Sequence, residues 1–322
     1  MTKRRALAFL LLFCMFALGF LLLAFDAFGK EPPPEIYRIS VIVRGRAGDS
    51  WESIRQGADQ AASEMNVDLS FITLSGENDS AEQISLLQRE IDAGADAIVL
   101  SASDSAALAA PVEQAAEKAP VICIETGVYS GSVSSYISAD NYGMGLQLGE
   151  EIIASGNARK RLVVVDSSLE CASVAQRRAG LMHVLGRIGG EIEVWTLPDG
   201  DPAEASRMLA SRIGKKTADV IVTLDTSALE LTAQAVSDMQ AHYLDLFGIG
   251  STGKIASFIE NDIVTATVVQ NDFAVGYLGV KAAVDSIQGH IPEADTVVGH
   301  QVVNWSNMYD PEVQRLLFPF IR

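Results

Sequence analysis

The feature that most constrains the fold is a regular alternation of short apolar runs with longer amphipathic segments, which begins near Tyr37. Runs such as 39–43 and 97–100 are apolar throughout, as strands are when helices cover both faces of their sheet. The segments between them, such as 51–65, have the length of a helix. Strands that alternate with helices pair in parallel, so the pattern predicts a doubly wound α/β sheet.

The alternation runs through the chain twice, which predicts two lobes. The first unit has predicted strands at 39–43, 68–74, 97–100 and 121–125, and predicted helices at 51–65, 81–93 and 107–118. After a strand at 136–139, the second has strands at 162–165, 191–197, 220–224, 246–249, 265–269 and 296–304, and helices at 174–188, 204–213, 229–239, 255–260 and 274–288. Ligands of such sheets gather at the carboxyl ends of strands, so we expect functional side chains in the loops there.

The N-terminus carries Lys3, Arg4 and Arg5 before an unbroken apolar run over residues 6–25. A helix of that length spans about 30 Å, the thickness of a bilayer core, whereas a secretory signal normally has only about 7–15 apolar residues. We therefore predict a signal anchor or transmembrane helix over 1–30, with its basic end in the cytoplasm and the remaining chain outside, then a proline linker over 31–35. The alternative is cleavage after Gly29, which follows small residues and would release a secreted form.

Charge and cysteine content exclude some partners and crosslinks. The formal net charge is −17 over 322 residues, and an acidic body repels phosphate backbones, so nucleic acid is not expected as a partner. The three cysteines are too few for a disulfide framework. Cys14 lies in the apolar run, Cys123 lies in a predicted strand, and Cys171 is expected to be a partly buried thiol.

Polar side chains without an obvious structural duty stand at the ends of several predicted strands. They are Arg44 and Arg46 after the first strand, Ser101, Ser103 and Asp104 after the third, Glu125 after the fourth, and Gln270, Asn271 and Asp272 after the strand at 265–269. A site for hydroxyl groups needs carboxylates and amides as hydrogen-bonding partners and an arginine as a multiple donor. Trp51, just after the first strand, is placed to cover the apolar face of a ring. Each residue taken singly also suits a solvated loop or a helix cap, but their common location predicts a site for a small polar ligand such as a sugar.

Signs of catalysis are scarce. The four histidines are scattered without metal-ligand spacing, and Cys171 has no histidine near it in sequence. The segment 248–254 matches a dinucleotide-binding glycine pattern, but that fingerprint belongs to the first strand–helix turn of its domain, and this turn is among the last. We interpret the segment as a tight turn that lines the cleft, with a site for an anionic ligand group as the alternative. No cofactor and no metal are expected.

The chain resembles the type I periplasmic binding proteins of the ribose-binding class from Ile36 to the C-terminus. The resemblance rests on the segments 51–58, 94–98, 138–141 and 177–180 and on the ending 311–320. It implies two doubly wound parallel-sheet lobes joined by a three-strand hinge that close on a ligand. It further implies an N-terminal lobe of 36–138 plus 271–298 and a C-terminal lobe of 139–270 plus 299–322.

The resemblance also assigns roles to individual residues. It implies ligand contacts for Trp51, Ser101, Glu125, Asp140, Arg177, Asp225 and Gln270, with Trp51 stacking on the sugar. The chain departs from the family pattern at Ala175, Gly200, Leu224 and Gly250, where the pattern has polar or aromatic residues, and it adds Arg44 and Arg46. These departures imply a different sugar, a larger one, or one with an acid group that pairs with Arg44.

The resemblance implies a binding protein that delivers its ligand, expected to be a sugar, to the permease of an ABC importer and catalyses nothing. The alternative is a membrane-anchored sensor that presents sugar occupancy to a histidine kinase, because the anchor and the short linker keep the lobes near the membrane. A transcription repressor with the same core is disfavoured, since an apolar run replaces the DNA-binding helices. An enzyme on this scaffold would need a nucleophile and base that the sequence does not display.

Overall fold

The computed structural model describes residues 3–28, 35–167, 170–188, 192–198 and 201–318, and within the first of these ranges it describes the side chains of 9–21. Gly29, the linker residues 31–34 and Gly200 lie outside the described residues. The chain divides into two compact units, Met1–Ile36 and Tyr37–Arg322.

The described part of the N-terminal unit contains the helix α1 over Lys3–Phe28. The side chains described within it include the exposed Phe9, Leu12 and Phe16. Among the residues that the structure describes, none of the helices combines the length and the apolar character that a membrane crossing requires. The predicted membrane anchor is therefore not confirmed and stays a hypothesis.

The second unit contains two six-stranded sheets. The first has the order β11-β5-β4-β3-β1-β2, and its strands are β1 (Tyr37–Arg46), β2 (Val67–Leu74), β3 (Ala97–Leu100), β4 (Val121–Ile124), β5 (Ser135–Ala139) and β11 (Asp295–Val298). All of its pairs are parallel. Its helices are α2 (Glu52–Met65), α3 (Ser80–Asp92), α4 (Ala109–Ala116) and α10 (Asp272–Ile287), and a 3₁₀ turn over Asp49–Trp51 precedes α2.

The second sheet has the order β12-β10-β9-β8-β6-β7. Its strands are β6 (Leu162–Asp166), β7 (Ile192–Thr196), β8 (Val220–Thr223), β9 (Asp245–Ile249), β10 (Ala266–Gln270) and β12 (His300–Asn304). The helices beside it are α5 (Asn141–Ala154), α6 (Ala172–Leu185), α7 (Pro202–Gly214), α8 (Thr226–Asp238), α9 (Gly253–Glu260) and α11 (Pro311–Leu317). The prediction of two doubly wound α/β sheets is confirmed.

Many of these helices begin where a polar side chain accepts a hydrogen bond from an N–H group of the first turn. The residues that cap helices in this way are Asp79, Asp140, Asp201, Asp225, Thr252 and Asn271. Such a cap satisfies a backbone donor that has no partner within the helix and typically stabilises the helix by about 1 kcal/mol. Local sequence therefore fixes where these six helices begin.

Three connections carry the chain between the sheets: β5 to α5, β10 to α10, and β11 to β12. The sequence predicts one strand over 296–304, but the structure divides it at Gly299 into β11 and β12, which belong to different sheets. β12 pairs antiparallel with β10. The parallel strands of each sheet point their carboxyl ends towards the other sheet. β12 enters the second sheet directly from the first, so it runs away from the first sheet and opposite to β10.

The helix α5 is absent from the sequence-based prediction. It contains Gly143, Gly145 and Gly149, and glycine weakens the helical signal. The packing explains one of these glycines, because a Cβ on Gly145 would collide with the carbonyl oxygen of Arg177 in α6. In the first sheet's layer, a Cβ on Gly276 in α10 would likewise collide with the carbonyl oxygen of Ile54 in α2. Both helix pairs therefore need glycine to approach so closely.

We expect Gly276→Ala to lower the free energy of unfolding by about 2 kcal/mol or more, because the added methyl forces α2 and α10 apart. Without this contact, alanine would stabilise a helix by about 1 kcal/mol relative to glycine. The control is Gly253→Ala in α9, where a Cβ meets nothing within 4 Å. Chemical denaturation of both variants measures the difference. Equal stability of the two variants would contradict the packing argument.

Candidate binding site

The carboxyl ends of parallel strands from both sheets enclose a small cavity, called the inner cavity here. Its lining includes Arg44, Trp51, Glu77, Glu125, Arg177, Asp225, Gln270 and Asp272. Four of these side chains are carboxylic acids and two are guanidinium groups. Most of the site residues predicted from the sequence thus lie together, although they come from distant parts of the chain.

The carboxylate of Glu125, which directly follows β4, collects contacts from both sides of the inner cavity. On the first sheet's side, Arg44 donates from Nε at 3.0 Å and from Nη2 at 3.4 Å, and Ser101 Oγ donates at 3.0 Å. On the second sheet's side, Ser173 Oγ donates at 3.3 Å and Arg177 Nη2 donates at 3.5 Å. Both of these donors belong to α6. One carboxylate therefore ties the two sheets together.

Glu125 remains ionised although it is buried. Burial raises the pKa of its carboxyl, but the positive charges of Arg44 and Arg177 outweigh this effect and lower the pKa from 4.5 to about 2. Burial likewise lowers the pKa of Arg44, but the negative charge of Glu125 outweighs this effect and holds the pKa well above its ordinary value. Removing one partner of such a buried pair typically costs about 3–5 kcal/mol, because the other charge is left uncompensated.

The backbone at Glu125 has a positive φ of 60°, which is uncommon for a residue with a side chain. The N–H of Thr126 donates to the carbonyl of Ile124 at 2.6 Å and closes a tight turn centred on Glu125. The Glu125 carbonyl accepts hydrogen bonds from Tyr136 Oη at 3.1 Å and from Ser138 Oγ at 2.8 Å. A strained backbone of this kind costs about 1–3 kcal/mol and is characteristic of functional sites.

Arg44, near the end of β1, is fully engaged by the protein itself. Besides Glu125, it donates from Nη1 to Asn78 Oδ1 at 2.9 Å. Its guanidinium lies over the Trp51 ring, 5.6 Å from the centroid. The sequence raises the hypothesis that Arg44 pairs with an acid group of the ligand. In the structure the Nε and Nη2 groups of Arg44 donate to Glu125, and the guanidinium plane covers the Trp51 ring, so neither nitrogen is left to pair with a ligand acid.

Arg177 of α6 also has protein partners for each guanidinium nitrogen. Its Nε donates to Asn141 Oδ1 at 2.7 Å, and its Nη1 donates to the carbonyl of Leu224 at 3.1 Å. Asn141 lies at the first position of α5, directly after the crossing from β5. Arg177 thus links α5, α6 and the end of β8 to the carboxylate of Glu125.

Gln270 and Asp272 stand at the second crossing, where β10 leads into α10. Gln270 Nε2 donates to Asp272 Oδ1 at 2.7 Å. Gln270 is only 7% exposed, and its Oε1 has no hydrogen-bond partner among the described residues. Burial raises the pKa of Asp272 to about 7, with Glu125 adding to the effect. This corner of the inner cavity therefore offers a buried acceptor and a carboxyl that a ligand can satisfy.

Asp225 and Glu77 complete the acidic lining. Asp225 Oδ1 accepts from the N–H of Ala228 at 2.9 Å and caps α8, and its Oδ2 accepts a hydrogen bond from Ser167. Burial raises the pKa of Glu77, whose carboxylate accepts from the Arg46 N–H at 3.1 Å. Arg44 and Arg177 both form ion pairs with Glu125. The other acids that line the cavity, Glu77, Asp225 and Asp272, therefore have no guanidinium partner among the described residues.

Two predicted site residues do not line the inner cavity. Ser101 is fully buried behind Glu125 and contacts its carboxylate. Asp140 is exposed, and its Oδ1 accepts from the Gly143 N–H at 2.8 Å to cap α5. The structure thus gives Ser101 an orienting contact and Asp140 a capping one.

Sequence reasoning passed over several residues that the structure brings to the site. They are Asn78, Asn141, Glu77 and Ser173. Asn78 and Glu77 follow β2, so attention to the end of that strand would have found them. Asp272, which the sequence already places at the end of the predicted strand 265–269, lines the inner cavity. Ser173 and Asn141 act on other site side chains, which no pattern in the sequence indicates.

The loops after β3 and β4 meet the start of α6 across the cleft. The N–H of Ser105 donates to the Glu170 carbonyl at 3.1 Å, and the N–H of Ser173 donates to Thr126 Oγ1 at 3.3 Å. Cys171 is predicted to be partly buried, but this prediction is wrong, because the residue is fully buried. Its thiol lies 3.0 Å from the Ser103 carbonyl oxygen, so the first sheet's loop covers it.

The glycine-rich segment 248–254 forms the turn from β9 into α9. Gly250 has a φ of 132° and lines the inner cavity, and a Cβ there would collide with Thr226. Thr252 Oγ1 accepts from the Ile255 N–H at 3.1 Å and caps α9. In the part of the chain that the structure describes, no group of three or more histidine, cysteine or acidic side chains is placed to hold a metal ion.

Comparisons with known proteins agree with this architecture. The model of the family described as "Periplasmic binding protein domain" matches residues 39–291. The chain therefore belongs to the family of periplasmic binding protein domains, which bind ligands and are not enzymes. The two sheets with their three connections are those of its type I class.

Individual relatives are distant in sequence and close in fold. The ABC transporter periplasmic-binding protein YphF of Escherichia coli K12 is 25% identical over 232 residues, which cover 68% of this chain and 70% of the relative. The ribose import binding protein RbsB of Bacillus subtilis is 22% identical over 238 residues, 74% of this chain and 77% of the relative. A carbohydrate transporter solute-binding protein of Agrobacterium radiobacter, crystallised with D-arabinose, superposes with a TM-score of 0.83 at 24% identity, covering 87% of this chain and 98% of that one.

The raised pKa of Asp272 predicts a pH dependence of stability. Its folded pKa of about 7 lies above the ordinary value of 3.8, so between these values the folded state holds a proton that the unfolded state has released. Stability therefore falls as the pH rises from about 4 to about 7. We expect the melting temperature to fall less between pH 5 and pH 8 in Asp272→Asn than in the wild type. The control is Asp68→Asn on exposed β2, and an Asp272→Asn variant with the full wild-type pH dependence would refute the assignment.

Proposed function

We propose that this protein is the extracytoplasmic solute-binding component of an ABC importer and that it captures an uncharged sugar between its two sheets. The observation that carries the proposal is the inner cavity itself, where buried carboxylates, an unpartnered amide oxygen and a tryptophan converge from both sheets. Carboxylates and amides recognise hydroxyl groups, and an aromatic ring suits the apolar face of a sugar. The sugars bound in similar structures, D-arabinose among them, support this ligand class.

An uncharged ligand is favoured over an acidic one. Both guanidinium groups of the inner cavity are bound to Glu125, so they offer no unpaired charge to a ligand acid. The carboxylates of Asp225 and Glu77 would repel such a group. Hydroxyl groups, in contrast, can donate to these carboxylates. In this proposal the residues that contact the ligand are Trp51, Glu125, Asp225 and Gln270. Arg44 and Arg177 hold the carboxylate of Glu125 in place, and Ser101 orients the same carboxylate. Asp140 supports the hinge.

The two sheets also support a division into two lobes. We propose an N-terminal lobe of 36–138 plus 271–298 and a C-terminal lobe of 139–270 plus 299–322, with the hinge at the three connections. The lobes close by rotation about these connections, as hinged binding proteins do. Closure brings Arg177 and Ser173 of α6 to Glu125 and buries the ligand.

The apolar run over residues 6–25 leads us to propose a membrane-tethered form in the cell envelope. A tethered receptor stays near the membrane, where it meets the importer's permease. The same tether suits a sensor that presents sugar occupancy to a histidine kinase, which we keep as the second candidate. Cleavage after Gly29 would instead give a secreted shuttle and favour the importer.

The test is a thermal-shift screen of the full chain, kept in a detergent without a sugar headgroup. The panel contains D-ribose, D-arabinose, D-galactose, myo-inositol, D-galacturonic acid and ribose 5-phosphate. We expect an uncharged member to stabilise the protein by about 3 kcal/mol at 100 times its Kd. We expect Trp51→Ala and Glu125→Ala to abolish that shift.

Two matched variants control for general damage. Trp305 is 65% exposed, and Glu150 is exposed, so Trp305→Ala and Glu150→Ala should retain the sugar-induced shift. The proposal is wrong if no sugar stabilises the wild type. If only acidic sugars raise the melting temperature, the ligand is not an uncharged sugar, and Arg44 would then pair with the acid group of the ligand.

A further inference from the structure

The cleft does not end at the inner cavity. It continues outwards into a second, larger space, called the outer cavity here, with a volume of about 390 Å³ against about 30 Å³ for the inner one. The two cavities share the side chains of Arg44, Glu77, Asp225 and Ser227, and they are therefore adjacent parts of one cleft. A volume of 390 Å³ is typical of ligand pockets, which measure about 300–1,000 Å³.

The inner cavity is small because the protein's own charges fill it. Arg44 covers the Trp51 ring and binds Glu125, and Asn78 fixes the guanidinium from the other side. The remaining 30 Å³ accommodates about two water molecules, since one water needs about 10–15 Å³. A ligand that reaches Gln270 and Asp272 therefore has most of its bulk further out.

Both sheets contribute to the outer cavity. The loop after β1 provides Ala47, Gly48 and Asp49, and α8 provides Leu231 and neighbouring residues on the opposite side. A ligand there contacts both lobes, as it does in the inner cavity, so it would favour the same closed arrangement.

The lining of the outer cavity suits an uncharged ring with hydroxyl groups at its edge. Leu197, Pro198 and Leu231 offer apolar surface, while Ser227 and Gln234 offer hydroxyl and amide groups. Charges of both signs stand around it and do not favour a ligand of either sign. Aliphatic surface beside hydrogen-bonding groups matches the alternating faces and edges of a saccharide ring.

We propose that the outer cavity is a second saccharide subsite and that the preferred ligand has two rings. One ring stands at the mouth of the inner cavity and only its hydroxyl groups enter it, and the other ring is held in the outer cavity. This inference rests on the proposed function and names its ligand class more closely. It assigns Arg44 as the residue that sets ligand size, because its guanidinium takes up space in the inner cavity that a single ring would occupy.

The experiment compares isothermal titrations of single sugars with disaccharides that contain them, using the full chain. The pairs are D-galactose with lactose and melibiose, D-glucose with cellobiose and maltose, and L-arabinose with arabinobiose. We expect at least one disaccharide to bind about tenfold or more tightly than its single-ring component, which corresponds to about 1.4 kcal/mol.

The structural arm of the test uses Gly48→Trp, which fills the outer cavity. A Cβ on Gly48 meets nothing within 4 Å and the residue has an extended φ of 170°, so the substitution introduces no backbone strain. The matched control is Gly131→Trp, which also has open space around its Cβ and lies outside both cavities. We expect Gly48→Trp to abolish the preference for the disaccharide over the single sugar, and Gly131→Trp to retain it.

The outcomes separate this inference from the proposed function. If single sugars bind and depend on Trp51 but no disaccharide binds more tightly, the second subsite is refuted and the sugar-binding function stands. A disaccharide preference that survives Gly48→Trp also refutes the subsite. If no saccharide of either size binds, both the proposed function and the subsite fail.

Discussion

The contact between the carboxylate of Glu125 and the guanidinium groups of Arg44 and Arg177 is the interaction on which the rest of the cleft depends. It is buried, it holds two positive charges around one negative charge, and its partners come from both sheets. A buried charge must be compensated, so each arginine has to reach Glu125 when the cleft is closed. The strained backbone at Glu125 and the hydrogen bonds from Tyr136 and Ser138 hold the carboxylate at the centre of this arrangement.

This arrangement determines what remains for a ligand. The guanidinium groups are satisfied within the protein, whereas the amide oxygen of Gln270 is not, and Asp272 is destabilised as a carboxylate by its burial. A ligand that brings hydroxyl donors improves the free energy at these groups, and a ligand that brings an acid group does not. The same charges fill much of the inner cavity, so the larger part of the ligand is expected in the outer cavity.

Much of the fold could be predicted from the sequence because apolar strands and amphipathic helices each leave a periodic signal. The prediction missed α5, whose glycines serve close packing against α6, and it joined β11 to β12, since Gly299 alone marks the change of sheet. For the site, the ends of strands indicated Arg44, Glu125 and Gln270. Their partners could not be predicted, because the pairing of Arg44 with Glu125 joins residues 81 positions apart, and the contact of Ser173 with Glu125 joins elements beside different sheets.

In the structure the loop at Ser103 covers the thiol of Cys171. If the two sheets separate and then close on a ligand around Glu125, the accessibility of this thiol reports the opening directly. We would follow its alkylation in the full chain carrying Cys14→Ser, with and without a saturating sugar. Cys123, buried in β4, serves as the reference for global unfolding. We expect Cys171 to react faster than the protein unfolds, and we expect the sugar to slow this reaction. If Cys171 reacts only at the rate of unfolding, with or without sugar, the cleft does not open and close around Glu125.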